Sequence, residues 1–184
     1  TWQGLRDGFD YLKRSPHLAS LIVIITFSSL FVIPYTSLLP AVARDLFNGD
    51  ETTFSWFESA AGLGAMIGAI RMASLKTGEN LRYRVMFSAL MMGISLLLLA
   101  YAHYLPSAIF FTVAVSFAMM MQNSSINTYI QTHSMSSYRA RIMSYYVMAF
   151  QGIFPIGSLL TGAIAEAVGL KNALYIMGGV GVAI

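Results

Sequence analysis

Residues 151–162 read QGIFPIGSLLTG, which places a glutamine, a proline and three glycines in one short stretch. The stretch belongs to a run that carries no Lys, Arg, Asp or Glu from Ile142 to Ala165. Gly and Pro break helices in water, but membrane helices tolerate them because neighbouring groups satisfy the freed backbone atoms. A helix that only anchors a protein in the membrane does not need the Gln151 amide. The stretch therefore predicts a membrane helix that also has a polar task.

The whole chain has this membrane character. Hydrophobic residues make up 57% of its 184 residues and charged residues only 10%, whereas a soluble domain carries about 25% charged residues. The net charge is +3, but the basic residues stand in short clusters between apolar runs, which favours membrane topology over nucleic-acid binding. Cysteine is absent, which excludes disulfides and thiolate metal sites.

Apolar runs long enough for a hydrocarbon core of about 30 Å predict six helices. The 54-residue run from Val85 to Tyr138 has no Lys, Arg, Asp or Glu, and as one helix it would be about 80 Å long. We expect it to fold back at the sequence AHYLPS, where a proline stands between two apolar stretches. The last run has only about 14 residues, so we expect the chain to stop inside a helix. The predicted spans are about 17–41, 54–72, 84–102, 106–131, 141–166 and 171–184 (truncated).

Charges on the two sides of these spans predict the orientation. Residues 1–16 have apolar residues at helical spacing with charged residues between them, which indicates an amphipathic helix on the membrane surface. This segment and the loops on the same side hold nine of the eleven Lys and Arg residues, and the opposite side holds only Arg44 and Lys171. Because cytoplasmic loops collect Lys and Arg, the first side is predicted to be cytoplasmic.

Uncharged polar residues recur near the middle of three spans. Gln151 lies about 18 Å from the cytoplasmic start of its span, on a stripe of polar and small residues. On the fourth span, Asn123 shares one face with Asn127, and Gln122 lies on nearly the opposite face. Lipid-facing polar groups are costly, so one face is expected to pack by hydrogen bonds and the other to line a cavity. The candidate substrate-binding residues are Ser28, Tyr35, Gln122, Asn123, Tyr146 and Gln151.

Other polar residues have two interpretations each. Glu58 is a candidate proton carrier or a solvated interfacial residue, and Arg71, Arg139 and Arg141 either bond across a cytoplasmic gate or fix the topology. Pro34 and Pro155 are interpreted first as helix kinks and second as parts of a gate. The sequence has no HExxH, no GxSxG and no Gly-rich phosphate loop, so we predict no enzyme activity, no metal and no cofactor.

Three segments carry a family resemblance: LRDGFDYLKRSPHLASLIV, GAIRMASLKTGENLRYRV and SMSSYRARIMSYYVMAFQGIFPIGSLLTGAIAEAVG. Together they resemble the carboxy-terminal half of a major facilitator superfamily transporter, in the branch of enterobactin exporters and macrolide-efflux proteins. Arg139, Arg141 and Ser144, followed by Pro155-x-Gly157-Ser158, are similar to that branch's R-G-R-V-x-S and P-x-G-S patterns. Ala140 replaces the usual Gly, and the loop after the second span lacks the D-R-x-G-R core of the cytoplasmic signature.

The resemblance implies an all-α membrane protein, with six helices forming the C-terminal half of a 12-helix transporter. An N-terminal six-helix half, membrane lipid, a small-molecule substrate such as a drug or siderophore, and a proton are the implied partners. The expected location is a bacterial inner membrane, and the expected mechanism is proton-coupled export by alternating access. A membrane scaffold or assembly subunit without transport, or a sensor with the same fold, are the alternatives.

Overall fold

The computed structural model describes residues 2–75 and 80–184, with side chains from Arg6 onward, so Lys76, which was counted as cytoplasmic, lies outside the described residues. Over the described residues the chain is all-helical and forms seven continuous helical segments. Three of its turns are π-helical, namely π1 (Ser28–Val32), π2 (Val42–Leu46) and π3 (Met148–Gly152). The α-helices are α1 (Trp2–Arg14), α2 (Pro16–Phe27), α3 (Tyr35–Ala41), α4 (Glu51–Ser74), α5 (Leu81–Tyr101), α6 (Leu105–His133), α7 (Ser136–Val147), α8 (Phe154–Val168) and α9 (Leu170–Ala183).

Length and hydropathy identify four segments in the described residues that can cross a membrane: Pro16–Leu46, Leu81–Tyr101, Leu105–His133 and Ser136–Val168. The chain is therefore a multi-pass integral membrane protein. The helix α4 has 24 residues but includes polar and small side chains, and α9 has only 14 residues. For these two helices, membrane crossing stays a prediction.

Local sequence explains where the helices begin and end. Asp50 caps α4, because its carboxylate accepts a hydrogen bond from the Thr53 backbone N–H at 3.0 Å. That bond holds the pKa of the Asp50 carboxyl below its usual range. The boundary between α5 and α6 falls within AHYLPS, with Pro106 in the first turn of α6. Gly169 separates α8 from α9 at a φ of +87°, which other residues rarely adopt.

The buried residues form two apolar clusters at different depths. The cluster nearer the ends predicted to be cytoplasmic contains side chains from α2, α6 and α7, such as Leu21, Ile130 and Ile142. The other cluster joins α3, α4, α5, α6 and α9 through residues such as Leu39 and Leu96. The helices α5 and α6 contribute to both clusters, and α6 also packs against α4, α5 and α7.

Glycines bring the straight helices together. A Cβ at Gly64 of α4 would overlap the carbonyl oxygen of Val113 in α6, and one at Gly68 would lie 2.9 Å from the carbonyl oxygen of Phe117. Gly93 of α5 lies in the same way against the backbone of α9 at Gly181. Small residues at these points allow backbones to approach closely, as is typical of membrane helix pairs.

Candidate substrate cavity between two broken helices

Two spans lose regular α-helical geometry at the same level of the bundle. The turn π1 precedes Pro34, and the turn π3 precedes Pro155. A proline has no N–H to donate, so backbone carbonyls one turn earlier lose their helical partner. The Ser29 hydroxyl donates a hydrogen bond to the Phe150 carbonyl, five residues before Pro155. The two π-helical turns are therefore joined directly to each other.

Gly157 makes the second contact between these spans. A Cβ at this position would lie 2.7 Å from the carbonyl oxygens of Ser29 and Leu30 and 2.8 Å from the Pro34 ring. The Leu30 carbonyl stands four residues before Pro34, which cannot donate to it. Gly157 therefore allows α8 to approach a stretch of backbone whose regular hydrogen bonding is interrupted.

A cavity of about 310 Å³ lies beside this junction. Thr36 and Gln151 are the polar residues of its wall, which is otherwise apolar and aromatic. A shallower groove of about 560 Å³ runs along α7 and π3 and also reaches Gln151. Ligand sites are commonly apolar pockets with a few placed polar groups, and this cavity fits that description. The cavity is lined by Ile33, Thr36, Met119, Phe150, Gln151 and Phe154.

The structure places the six predicted binding residues in two different settings. Gln151 is exposed and lines the cavity. The other five do not line it, and they contribute to hydrogen bonds between helices. Gln122 Nε2 donates to Ser28 Oγ at 3.2 Å, both residues being fully buried. The Tyr35 and Ser116 hydroxyls are 2.6 Å apart, and the Tyr146 hydroxyl donates to the Asn123 carbonyl at 3.4 Å.

Sequence reasoning did not identify the apolar wall of the cavity. Ile33 and Phe154 directly precede Pro34 and Pro155, Phe150 lies five residues before Pro155, and Met119 lies one turn before Asn123. Apolar residues are common in every span, so polarity does not distinguish those that line a cavity. Their closeness to the two prolines is the signal that was available.

The remaining candidates lie at the ends of the helices. Glu58 is exposed on α4 and forms no salt bridge with any residue in the described ranges. Arg71 and Arg139 are exposed at helix ends on the side predicted to be cytoplasmic. Arg141 Nη1 lies 3.2 Å from Asp7 Oδ2, and its guanidinium covers the Tyr138 ring at 5.4 Å.

This contact fixes the amphipathic helix α1 against the start of α7. Tyr11 stacks on Tyr138 with ring centroids 4.7 Å apart, and its hydroxyl accepts a hydrogen bond from the Met135 N–H. Gly8 lies close to the Arg141 side chain, where a Cβ would be 3.1 Å away. The salt bridge is solvent-exposed, so we expect it to add little stability.

The sequence matches the model of the transmembrane secretion effector family over residues 1–184. The chain belongs to this family, which is part of the major facilitator superfamily. The superfamily resemblance is thus confirmed, and the family is one of transporters and not of enzymes.

Two curated proteins are similar to this chain at low identity. The multidrug efflux pump Tap of Mycolicibacterium fortuitum is 22% identical over 168 residues, which cover 91% of this chain and 41% of that protein. The staphyloferrin A transporter of Staphylococcus aureus (strain NCTC 8325 / PS 47) is 24% identical over 174 residues, which cover 92% of this chain and 42% of that protein. The chain therefore spans about two fifths of the length of these relatives.

Proposed function

We propose that this chain is the C-terminal half of a 12-helix secondary active transporter and that all six helices of the predicted bundle cross the membrane. The fraction of each relative that it covers supports this proposal. The exposure of the segment Ser136–Val168 supports it too. Only 17% of an apolar 18-residue stretch of this segment is buried, against 50% in Pro16–Leu46, which leaves one face of the segment uncovered. An N-terminal six-helix half is the proposed cover for this face.

The proposed activity is the export of small amphipathic molecules, such as drugs or siderophores, across a bacterial inner membrane. The observation that carries this proposal is the cavity of about 310 Å³ beside the two broken spans. Its apolar wall suits the apolar part of such a molecule, and the Gln151 amide suits a hydroxyl, amine or carbonyl group. Among the predicted contacts, we assign direct binding to Gln151, whereas Ser28, Tyr35, Gln122, Asn123 and Tyr146 hold the helices around the cavity.

The proposed mechanism is alternating access. Each of the two spans that border the cavity is interrupted by a π-helical turn and a proline, where helices bend at low cost. Pro34 and Pro155 would therefore act as hinges when one half rocks against the other. Glu58 is the proposed proton carrier, because it is an exposed carboxylate two turns inside α4.

Transport by the full-length protein in proteoliposomes tests this function. We expect an imposed pH gradient to drive uptake of amphipathic fluorescent dyes, and Gln151→Leu to slow it about tenfold by removing one hydrogen bond. Gln151→Asn should retain part of the rate, and Asn172→Leu, which changes an exposed amide at the start of α9, should retain all of it. Absence of gradient-driven uptake for every dye would instead favour a scaffold or a sensor.

A further inference from the structure

The helix α6 carries a row of amides that the substrate cavity does not use. Asn123, Asn127 and Gln131 are spaced four residues apart and therefore lie on one face, about 6 Å apart along the axis. Gln131 is exposed at the cytoplasmic end of α6, and Asn127 and Asn123 are half-buried. The other polar face, with Gln122 and Ser125, is fully buried against neighbouring helices.

Hydrogen bonding along this row is incomplete. Gln131 Nε2 donates to Asn127 Oδ1, but Asn127 Nδ2 reaches only the Met143 sulfur at 3.9 Å, and a thioether is a weak acceptor. Asn123 Oδ1 is buried and has no hydrogen-bond partner among the described residues, and the same holds for the adjacent Gln122 Oε1. The row therefore leads from exposed, paired amides to buried amides with free acceptor oxygens.

An unpaired buried oxygen is costly. Leaving a buried acceptor without a partner costs about 1–3 kcal/mol, and buried waters commonly satisfy such groups. Asn123 lies ten residues, or about 15 Å, from the cytoplasmic end of α6, which is the middle of a hydrocarbon core of about 30 Å. Along this face of α6, a donor that reaches Asn123 from the cytoplasmic end passes Asn127.

We propose that Asn123, Asn127 and Gln131 of α6, with Met143 and Tyr146 of α7, form a hydrated seam that brings water from the cytoplasm to the middle of the membrane. Water molecules donate to the free Oδ1 of Asn123 and bridge the steps of about 6 Å between successive amides. The Tyr146 hydroxyl closes the inner end, where it donates to the Asn123 carbonyl. None of the seam residues lines the 310 Å³ cavity, and Met143 is the member that also lines the shallower groove reaching Gln151.

Thiol labelling in the full-length protein tests the seam, since this chain contributes no cysteine of its own. A membrane-impermeant thiol reagent is applied to inside-out vesicles that carry Asn123→Cys, Asn127→Cys or Ser125→Cys. Ser125 is the matched control, because it is fully buried on another face of α6 and lies nearer to the cytoplasm than Asn123. We expect both asparagine positions to react at least about tenfold faster than Ser125→Cys, because close packing excludes the reagent from the control site.

A second variant asks whether water enters from the cytoplasm. Adding Asn127→Leu should slow the labelling of Asn123→Cys about tenfold, because an apolar side chain of similar size blocks the path, and should leave the labelling of Gln151→Cys unchanged. Equal labelling of Asn123→Cys and Ser125→Cys, or labelling of Asn123→Cys only from the outer side, overturns the seam. These readouts need no transported substrate, so failure of the proposed export activity leaves the result interpretable.

Discussion

In two helix pairs of this bundle, glycines pack against backbone carbonyls of the neighbouring helix. The neighbouring helix is continuous in one pair and interrupted in the other. In the pair α4 and α6, Gly64 and Gly68 lie against carbonyls of a continuous α-helix. In the pair formed by α2–α3 and α7–α8, Gly157 lies against carbonyls of Ser29 and Leu30, within a π-helical turn that precedes a proline. Close glycine contacts thus occur in both a straight pair and a broken pair.

This difference in backbone distinguishes a rigid part of the bundle from a part that can move. A straight helix has its backbone hydrogen bonds satisfied internally, so a clash against it has no easy relief. A helix broken by a π turn and a proline has a point at which it can bend. We therefore infer that α4–α6 is the rigid part of the bundle and that the broken pair is the part that can move beside the cavity.

The largest expected effect is at the straight pair. Gly64→Ala should lower the free energy of unfolding by about 3 kcal/mol, because the added methyl overlaps the Val113 carbonyl. Gly62→Ala is the control, since a Cβ there meets nothing within 4 Å, and it should raise stability by about 0.5 kcal/mol. Unfolding of the purified full-length protein in detergent measures both. Equal stability of the two variants would contradict the inference that the α4–α6 pair is rigid.

At the broken pair the same substitution should cost less. Gly157→Ala should lower the free energy of unfolding by about 1 kcal/mol, because the bent helix can move away from the added methyl. It should also slow transport, since the hinge contact is displaced. Gly162→Ala, with nothing within 4 Å of the added Cβ, should raise stability by about 0.5 kcal/mol, as Gly62→Ala does, and leave transport unchanged. A loss for Gly157→Ala as large as that for Gly64→Ala would show that the broken pair is equally rigid.

The hydrogen bond between the two π turns should contribute less again. Ser29→Ala removes the donor to the Phe150 carbonyl, and interhelical hydrogen bonds in membranes average about 0.6 kcal/mol. Ser59→Ala on the exposed side of α4 should have no effect on unfolding. If Ser29→Ala destabilises the protein by more than Gly157→Ala, this bond and not the glycine contact holds the broken pair together.

The smallest effect is expected at the salt bridge between α1 and α7. Asp7→Asn should cost about 0.3 kcal/mol, because the salt bridge to Arg141 is exposed to solvent. The cost should vanish at about 1 M salt, where the Debye length falls to about 3 Å. Asp10→Asn, an exposed acid on the same helix, provides the control. A cost that persists at high salt would contradict the assignment of the Asp7 contribution to a solvent-exposed ion pair.

Much of this fold could be predicted from the sequence, because membrane crossing depends on length and hydropathy. The charge-free run folds back at AHYLPS, and the loop between α5 and α6 lies there. Of the polar and small stripe predicted on the last long span, Ser144, Gln151 and Pro155 are exposed, whereas Ser158 and Gly162 are half-buried. What the chain could not reveal is which amide faces inward. Gln122 and Gln151 are both amides near the middle of a span, and only their neighbouring helices bury one and expose the other.

The π-helical turns were a second limit of sequence reasoning. A regular period of 100° per residue places Tyr146, Ala149 and Leu160 on one face. Tyr146 and Ala149 are indeed buried, but in α8 the buried residues are Gly157 and Thr161, and Leu160 is exposed. A π turn accommodates one extra residue and so rotates everything that follows. No residue type in the sequence predicts that extra residue.

Labelling of Gln151→Cys in the full-length protein tests the central claim most directly. A membrane-impermeant thiol reagent is applied to whole cells and to inside-out vesicles, with Leu90→Cys on the exposed apolar side of α5 as the lipid-facing control. Our interpretation predicts that Gln151→Cys reacts from both sides of the membrane, that a transported dye slows the reaction, and that Leu90→Cys reacts from neither side. Reaction of Gln151→Cys no faster than that of Leu90→Cys would contradict a water-accessible cavity between the two broken helices.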